Sequence, residues 1–413
     1  MRITNIHSHV FTGACAPDHF FRMVLPTWAD RWADEIKYFL EKPWMRGLIK
    51  RLAGRRGDGL LLRYLQFLEA GTQNTQEQVF GAMRQAYSLL GPDTRFVALT
   101  LNMDHMDVLP SRHARIEDQL REVERVRAHY PDSFLPFVGV DPRHLQGEAL
   151  VRWVREKVER RAFFGIKLYP SLGFFPFDPA LDALYAWAQE EQVPIMTHCT
   201  RYGTHFTGGI QHVLPHADPP TLNPSSPVMP AIRDRVARYL AHPKARADAK
   251  YWGNALLHPQ NYEPVLEKYP HLKLCLAHFG GDDQILGEAH KVQQWGIDPD
   301  NWHQEVVGLM QVWPNVWTDI SYTLYKAEAL RRILPLLAGP LGDRVLFGTD
   351  YYMTLREAPE ADLVSRCRGI LGPDLFARMA SEHTDHYLRS RHFDPAVRFI
   401  TARTVTPPTP AST

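Results

Sequence analysis

Short apolar or β-branched runs alternate along most of the chain with longer stretches whose apolar residues recur every three or four positions. The runs Ile3–Val10, Phe96–Met103, Phe134–Val140, Phe163–Tyr169, Pro194–Cys199, Leu272–His278, Val316–Ser321 and Val345–Thr349 predict strands. Between them, Val79, Met83, Tyr87 and Leu90 fall on one helix face, as do Ile116, Leu120 and Val123. The same spacing recurs in Leu150, Val154 and Val158, in Leu181, Leu184 and Ala188, and in Leu330, Leu334 and Leu337. Thr75-Gln76-Glu77-Gln78 has the makeup of a capping box for the first of these helices. Gly91-Pro92, Pro131 and Pro270 punctuate helix ends.

Eight strands alternating with helices predict parallel strands joined by crossover helices, and so an α/β fold of the (β/α)8 TIM-barrel type. A doubly wound open sheet is the rival, but no glycine-rich phosphate loop follows the first strand. Three segments exceed a minimal barrel: helical or loop insertions after strands 1, 5 and 6, at about 11–71, 201–255 and 282–314. The first holds Trp28, Trp32 and Trp44 and a basic run from Arg46 to Arg56, read as a solvated helix face. The second starts Pro-rich and turns helical around Ile232–Leu240. Residues 1–401 read as one barrel domain and 402–413 as a disordered tail.

Composition narrows the partners. A formal net charge of +1 argues against a nucleic-acid binder, and no apolar run is long enough to span a membrane. The first strand begins almost at Met1, so no signal peptide is expected. Cys15, Cys199, Cys275 and Cys367 lie far apart without paired zinc spacing and read as reduced thiols of a cytoplasmic protein. Aromatic residues in the insertions suggest an enclosed pocket for an apolar or aromatic small molecule. A homo-oligomer is the default expectation for association.

The chemistry lies at the strand ends. The first strand carries His7-Ser8-His9, the fourth Lys167-Leu168-Tyr169, the fifth Thr197-His198, the sixth His278-Phe279-Gly280-Gly281, and the eighth Gly348-Thr349-Asp350. A barrel converges such C-terminal ends at one mouth. Neutral imidazoles and a carboxylate with coordination positions left open make a catalytic zinc-type site. Taken singly, each has a plainer reading: strand-end surface for His7 and His9, a hydrogen-bonded core residue for His278, a snorkelling or substrate-binding side chain for Lys167, a helix cap for Asp350. Independent accidents at ordered strand ends multiply, and that favours the site. Around it, Arg201 follows the fifth strand and could grip a substrate carboxylate, although a solvated or structural loop role is the plainer reading, while Tyr169 and Tyr351 could line the pocket or simply pack. Asp319, late in the seventh strand, could support the site from behind or bond backbone. His212 and His216 sit in a Pro-rich loop and read as non-ligands.

In this order the motifs resemble those of the amidohydrolase superfamily of metal-dependent barrels, in particular the amidohydrolase-2 branch, over about Ile3 to Leu388. The resemblance implies that His7, His9 and His198 are metal ligands and that Asp350 is both ligand and base. It makes His278 a second-metal ligand or a catalytic histidine, and Lys167 a carboxylated bridge between two ions or a substrate-facing residue. Lys167-Leu168-Tyr169-Pro170 is similar to what dihydroorotases carry. Decarboxylases related to aminocarboxymuconate-semialdehyde decarboxylase generally lack that lysine, so its presence tilts the expectation to a hydrolase. The implied cofactor is one or two divalent ions, zinc first and manganese or iron otherwise. The expected activity is hydrolysis of an amide, ester or lactone of a small organic molecule. The alternatives are a non-oxidative decarboxylase or hydratase of an aromatic or unsaturated acid, and a non-catalytic barrel scaffold.

Overall fold

The computed structural model describes residues 2–15, 17, 70–71, 73–88, 90, 93–107, 115–214, 218–287 and 297–396. Most of the insertion expected over 11–71, with its tryptophans and basic run, lies outside the described residues, as do His216 and the tail at 402–413.

The eight strands are β1 (Ile3–Ser8), β2 (Thr94–Leu99), β3 (Phe134–Val140), β4 (Gly165–Leu168), β5 (Ile195–Thr197), β6 (Leu274–Leu276), β7 (Val316–Asp319) and β8 (Val345–Leu346). Each pairs in parallel with the next in sequence, so spatial order equals chain order. The barrel closes just beyond β8, where Ile6 N–H donates to Phe347 O at 2.9 Å and Asp350 N–H to His7 O at 2.8 Å. Ile6, Val97, Leu99, Leu135, Met196, Cys275 and Leu346 form an apolar plug inside the barrel. A second, larger core fills the layer between the strands and the surrounding helices.

The helices form where the apolar period placed them. Gln76–Ala86 is opened by Thr75, whose hydroxyl accepts the Gln78 N–H at 3.2 Å, and it buries Val79, Phe80 and Met83. Gln78 returns the favour to the Asn74 N–H at 3.1 Å, one residue before the cap, and not to the cap residue itself as a strict capping box would. Between β5 and β6 the chain makes the helices Met229–Ala241, Pro243–Ala247 and Ala249–Leu257. None of the described helices is long and apolar enough to cross a membrane.

β6 and β8 end earlier than their apolar runs, because the chain turns sharply there. His278 and Asp350 adopt φ of 68° and 65°, in the left-handed region. Non-glycine residues held there cost about 1–3 kcal/mol each and are met where structure aims a side chain.

Candidate metal centre

β1 carries the candidate ligand His7 and leads directly into His9, yet simple alternation does not explain their aim. Ile6 points into the barrel plug, while Asn5 points outward, its amide 2.9 Å from Tyr87 Oη. Alternation would then send His7 outward too. The β1–β2 register shifts between Asn5 and Ser8, and this irregularity turns His7 inward. Its ring lies 5.4 Å from His9 and 4.8 Å from His278. Gly348 makes room for it, since a Cβ there would sit 2.8 Å from His7 Cβ.

Both histidines are held by the nitrogen that faces away from the mouth. His7 Nδ1 lies 2.9 Å from Asp319 Oδ2, and His9 Nδ1–H donates to Leu99 O at 3.0 Å. Their Nε2 atoms approach one oxygen, Asp350 Oδ1, at 3.6 Å from His7 and 3.2 Å from His9. That oxygen nevertheless takes no hydrogen bond of good geometry among the described residues. Atoms this close that do not bond one another are aimed at a common point. Ligand atoms about 2.0–2.2 Å from one ion would themselves be roughly 3–3.6 Å apart, so both separations from Asp350 Oδ1 suit a shared divalent ion.

Protonation states agree. Burial, then the charge of Lys167, holds His7 down at about 3 despite Asp319, so it is neutral near pH 7. Burial opposes ionising Asp350, but the close approach of His9 and the fields of His7, His9 and His278 outweigh it and hold the carboxyl at about 2. Neutral imidazole beside ionised carboxylate is the form that binds a metal.

His198 and His278 complete the ring. His198 Nδ1 and His278 Nε2 are 3.0 Å apart, and His7, His278 and Asp350 bring ligand atoms within 4.8 Å of one another. His278 Nδ1 faces the Ser321 carbonyl at 3.1 Å, which makes Nδ1 the protonated nitrogen and leaves a lone pair on Nε2. Burial is the first cause that lowers both residues; His278 and Lys167 add to it for His198. Tyr169 stacks on His198 with ring centres 4.4 Å apart, and Gly203, at φ 93°, leaves no room for a Cβ beside the imidazole. Tyr169 thus supports a candidate ligand. Lys167 is buried, and its ammonium has no hydrogen-bond partner among the described residues. Burial pulls it down to about 8 against the opposing pull of Asp319 and Asp350.

Asp319 and Ser321 organise the ring from behind. Besides His7, Asp319 accepts the His278 N–H at 2.9 Å, the Ser321 N–H at 3.0 Å and the Ser321 hydroxyl. Ser321 Oγ lies 2.9 Å from Nδ1 of both His7 and His278. Ser321 was missed by the sequence reading, although Asp319-Ile320-Ser321 repeats at the seventh strand the polar strand-end signal used for the others.

The structure gives two residues other employment than expected. Arg201 donates to Asp298 Oδ2 at 3.2 Å and to Asp300 O at 2.7 Å, and its guanidinium lies 4.7 Å from the Trp302 ring centre. Its charge is matched by an internal carboxylate, which suits the structural loop role that stood beside substrate binding as the alternative for it. Beside that pair, His258, Asp298 and Asp300 form a second group of candidate ligands, but Asp298 is already spent on Arg201 and on the Trp302 indole at 3.1 Å. Tyr351 is 4% exposed, and its carbonyl accepts the His9 N–H, so it anchors the site through its backbone.

Comparison with known proteins is consistent with this architecture. No curated protein matches the chain's sequence. A structure of 5-carboxyvanillate decarboxylase from Novosphingobium aromaticivorans, with manganese and 4-hydroxy-3-methoxy-5-nitrobenzoic acid bound, is similar at 14% identity with a TM-score of 0.52. The match covers 94% of this chain and 96% of that one. An uncharacterised TIM-barrel protein from Bordetella bronchiseptica is 15% identical over 94% of this chain and 98% of its own, with a TM-score of 0.48. At 14% identity the likeness to the decarboxylase speaks to the fold alone. The family model described as Amidohydrolase, of the amidohydrolase-2 type, matches residues 102–382, well over half of the sequence. The chain therefore belongs to the amidohydrolase-2 family.

Proposed function

We propose that this protein is a metal-dependent hydrolase that cleaves an amide, ester or lactone bond of a small organic molecule. The observation that carries the proposal is the convergence of His7 Nε2 and His9 Nε2 on an ionised Asp350 Oδ1 to which neither is properly hydrogen bonded. In this reading His7, His9, His198 and Asp350 hold the ion, zinc first. A bound ion of this kind supplies Lewis acidity, bringing the pKa of a water from 15.7 to about 7. Asp350, a carboxylate at neutral pH, accepts the proton released and returns it to the leaving group. His278, with its proton on Nδ1, presents a lone pair at Nε2 and suits a ligand's role better than a neutral proton donor's. Lys167, carboxylated on Nζ by carbon dioxide with loss of a proton, would offer a carboxylate able to hold a second ion.

A second reading has an observation in its favour. Left unmodified, Lys167 is a buried cation among the ligands with no hydrogen-bond partner among the described residues, and such a group would receive a substrate carboxylate. That points to a non-oxidative decarboxylase or hydratase of an aromatic or unsaturated acid, and the similar fold of the 5-carboxyvanillate enzyme is in keeping with it. The deciding experiment incubates the zinc- and manganese-loaded protein with panels of lactones, esters and amides and of aromatic carboxylic acids. Carbon dioxide release from the acids, with the first panel untouched, would sink the hydrolase reading. A protein that binds neither metal, as wild type or after chelation and reloading, would leave the scaffold alternative standing. Under the proposal, His198→Ala abolishes stoichiometric metal by elemental analysis.

A further inference from the structure

Behind the candidate ligands, on the outer side of the barrel wall, lies a closed set of buried polar side chains with no part in the chemistry above. Asn5 Oδ1 accepts two backbone N–H groups, one from β1 and one from the turn after β8: His7 at 3.1 Å and Thr349 at 3.2 Å. These residues flank the seam where β1 meets the end of β8, and His7 lies within the stretch where the register slips. A bulge interrupts its ladder, so a side-chain acceptor at this spot takes over what the neighbouring strand would have supplied.

Asn5 is itself held on its other side. Its amide donates to Thr349 Oγ1 at 2.7 Å and to Tyr87 Oη at 2.9 Å. Those two hydroxyls in turn donate to one oxygen of Glu360, at 2.6 Å and 2.7 Å. Each hydroxyl accepts once and donates once, which fixes the direction of every bond and leaves Asn5 a single amide orientation. The set draws on β1, the turn after β8 and two helices of the outer layer, Gln76–Ala86 with its C-cap Tyr87 and Glu360–Leu371.

We infer that Asn5, oriented by Thr349, Tyr87 and Glu360, is a positioning residue: it forms the irregularity in β1 that turns His7 inward and sets the spacing between His7 and Asp350. The bond from Asp350 N–H to His7 O, at 2.8 Å, closes the same seam, so one clamp governs two candidate ligands, one on β1 and one in the turn after β8. None of the four side chains touches the point on which the ligands converge. Their effect is felt through His7 and Asp350.

The inference rests on the metal reading, and the test separates the two. Dissociation constants for Zn2+ and Mn2+ are measured on full-length protein by competition with a chromophoric chelator, together with apo and metal-loaded melting temperatures. Wild type without affinity for either ion would bring down the metal reading and the inference with it. Given a wild type that binds, Asn5→Ala and Thr349→Val should weaken binding about 10–100-fold, while Thr349→Ser and Glu360→Gln stay within about threefold. Thr349→Val keeps volume and backbone N–H, and so carries the test should Asn5→Ala not fold. Wild-type affinity in Thr349→Val, or a lower apo melting temperature with an unchanged dissociation constant, overturns the positioning role.

Discussion

Asp319→Asn is the sharpest probe of how the candidate ligands are held. Asp319 is fully buried and, although burial opposes it, the charge and hydrogen bond of His7 keep its carboxyl well below the usual range. An asparagine preserves the shape. Its oxygen can still accept the His278 N–H, the Ser321 N–H and the Ser321 hydroxyl, the three donors that reach Oδ1. Only Oδ2 changes, from an acceptor 2.9 Å from His7 Nδ1 into an amide donor. Nδ1 then faces an N–H in place of a carboxylate and keeps only Ser321 Oγ, 2.9 Å away, as an acceptor, which favours moving the imidazole proton to Nε2, the nitrogen facing Asp350, and removing the lone pair an ion requires. Losing the charge-assisted bond should cost about 1.5–3 kcal/mol of apo stability. The tautomer change should weaken metal binding at least 10–100-fold, or about 1.4–2.7 kcal/mol. Competition titration with zinc gives the affinity, urea unfolding the stability, and nitrogen-15 NMR of labelled histidine the tautomer. A variant that binds zinc within about threefold of wild type, with the proton still on His7 Nδ1, would refute the reasoning.

Three further outcomes are expected. Arg201→Met strands the buried Asp298 carboxylate and should lower stability by about 3–5 kcal/mol in denaturant unfolding; retained stability with a raised KM would restore Arg201 to substrate binding. Lys167→Met removes a buried ammonium that lacks a partner among the described residues, so stability should rise by about 1–4 kcal/mol while turnover falls at least 100-fold; full activity in this variant would remove Lys167 from the site. Glu360 is raised by burial from 4.5 to about 7, so its neutral form stabilises the fold fully below pH 4.5 and that contribution is lost as pH rises through 7. Glu360→Gln, which stays neutral, should therefore gain roughly 3 kcal/mol on wild type between pH 4 and pH 8; parallel stability–pH curves would contradict the shift.

Much of the site was legible because it obeys local rules. A barrel gathers the C-terminal ends of its strands, so polar residues at the ends of apolar runs nominate themselves, and His7, His9, His198, His278 and Asp350 do lie together. Ser321 carried the same signal and was passed over. Arg201 shows the limit of the method: its place after the fifth strand suits a substrate contact, but its partner Asp298 is supplied from far along the chain. Asn5 was equally silent, one polar residue among several in β1 (Ile3-Thr4-Asn5-Ile6-His7-Ser8).

The sequence by itself determined the alternation of strands and helices, the faces each buries, and which residue types stand at the strand ends. These depend on periods of two and three to four residues, which any short window contains. Only the tertiary structure decided that β1 is irregular, that His7 faces inward because of it, and that Asn5, Thr349, Tyr87 and Glu360 stand behind the seam. The paired histidines satisfy the alternation rule between themselves, yet both face the mouth on account of a register shift that no alternation predicts. That shift is set by hydrogen bonds between the two ends of the chain, Asn5 to Thr349 and Asp350 to His7, and such bonds exist only once the barrel has closed.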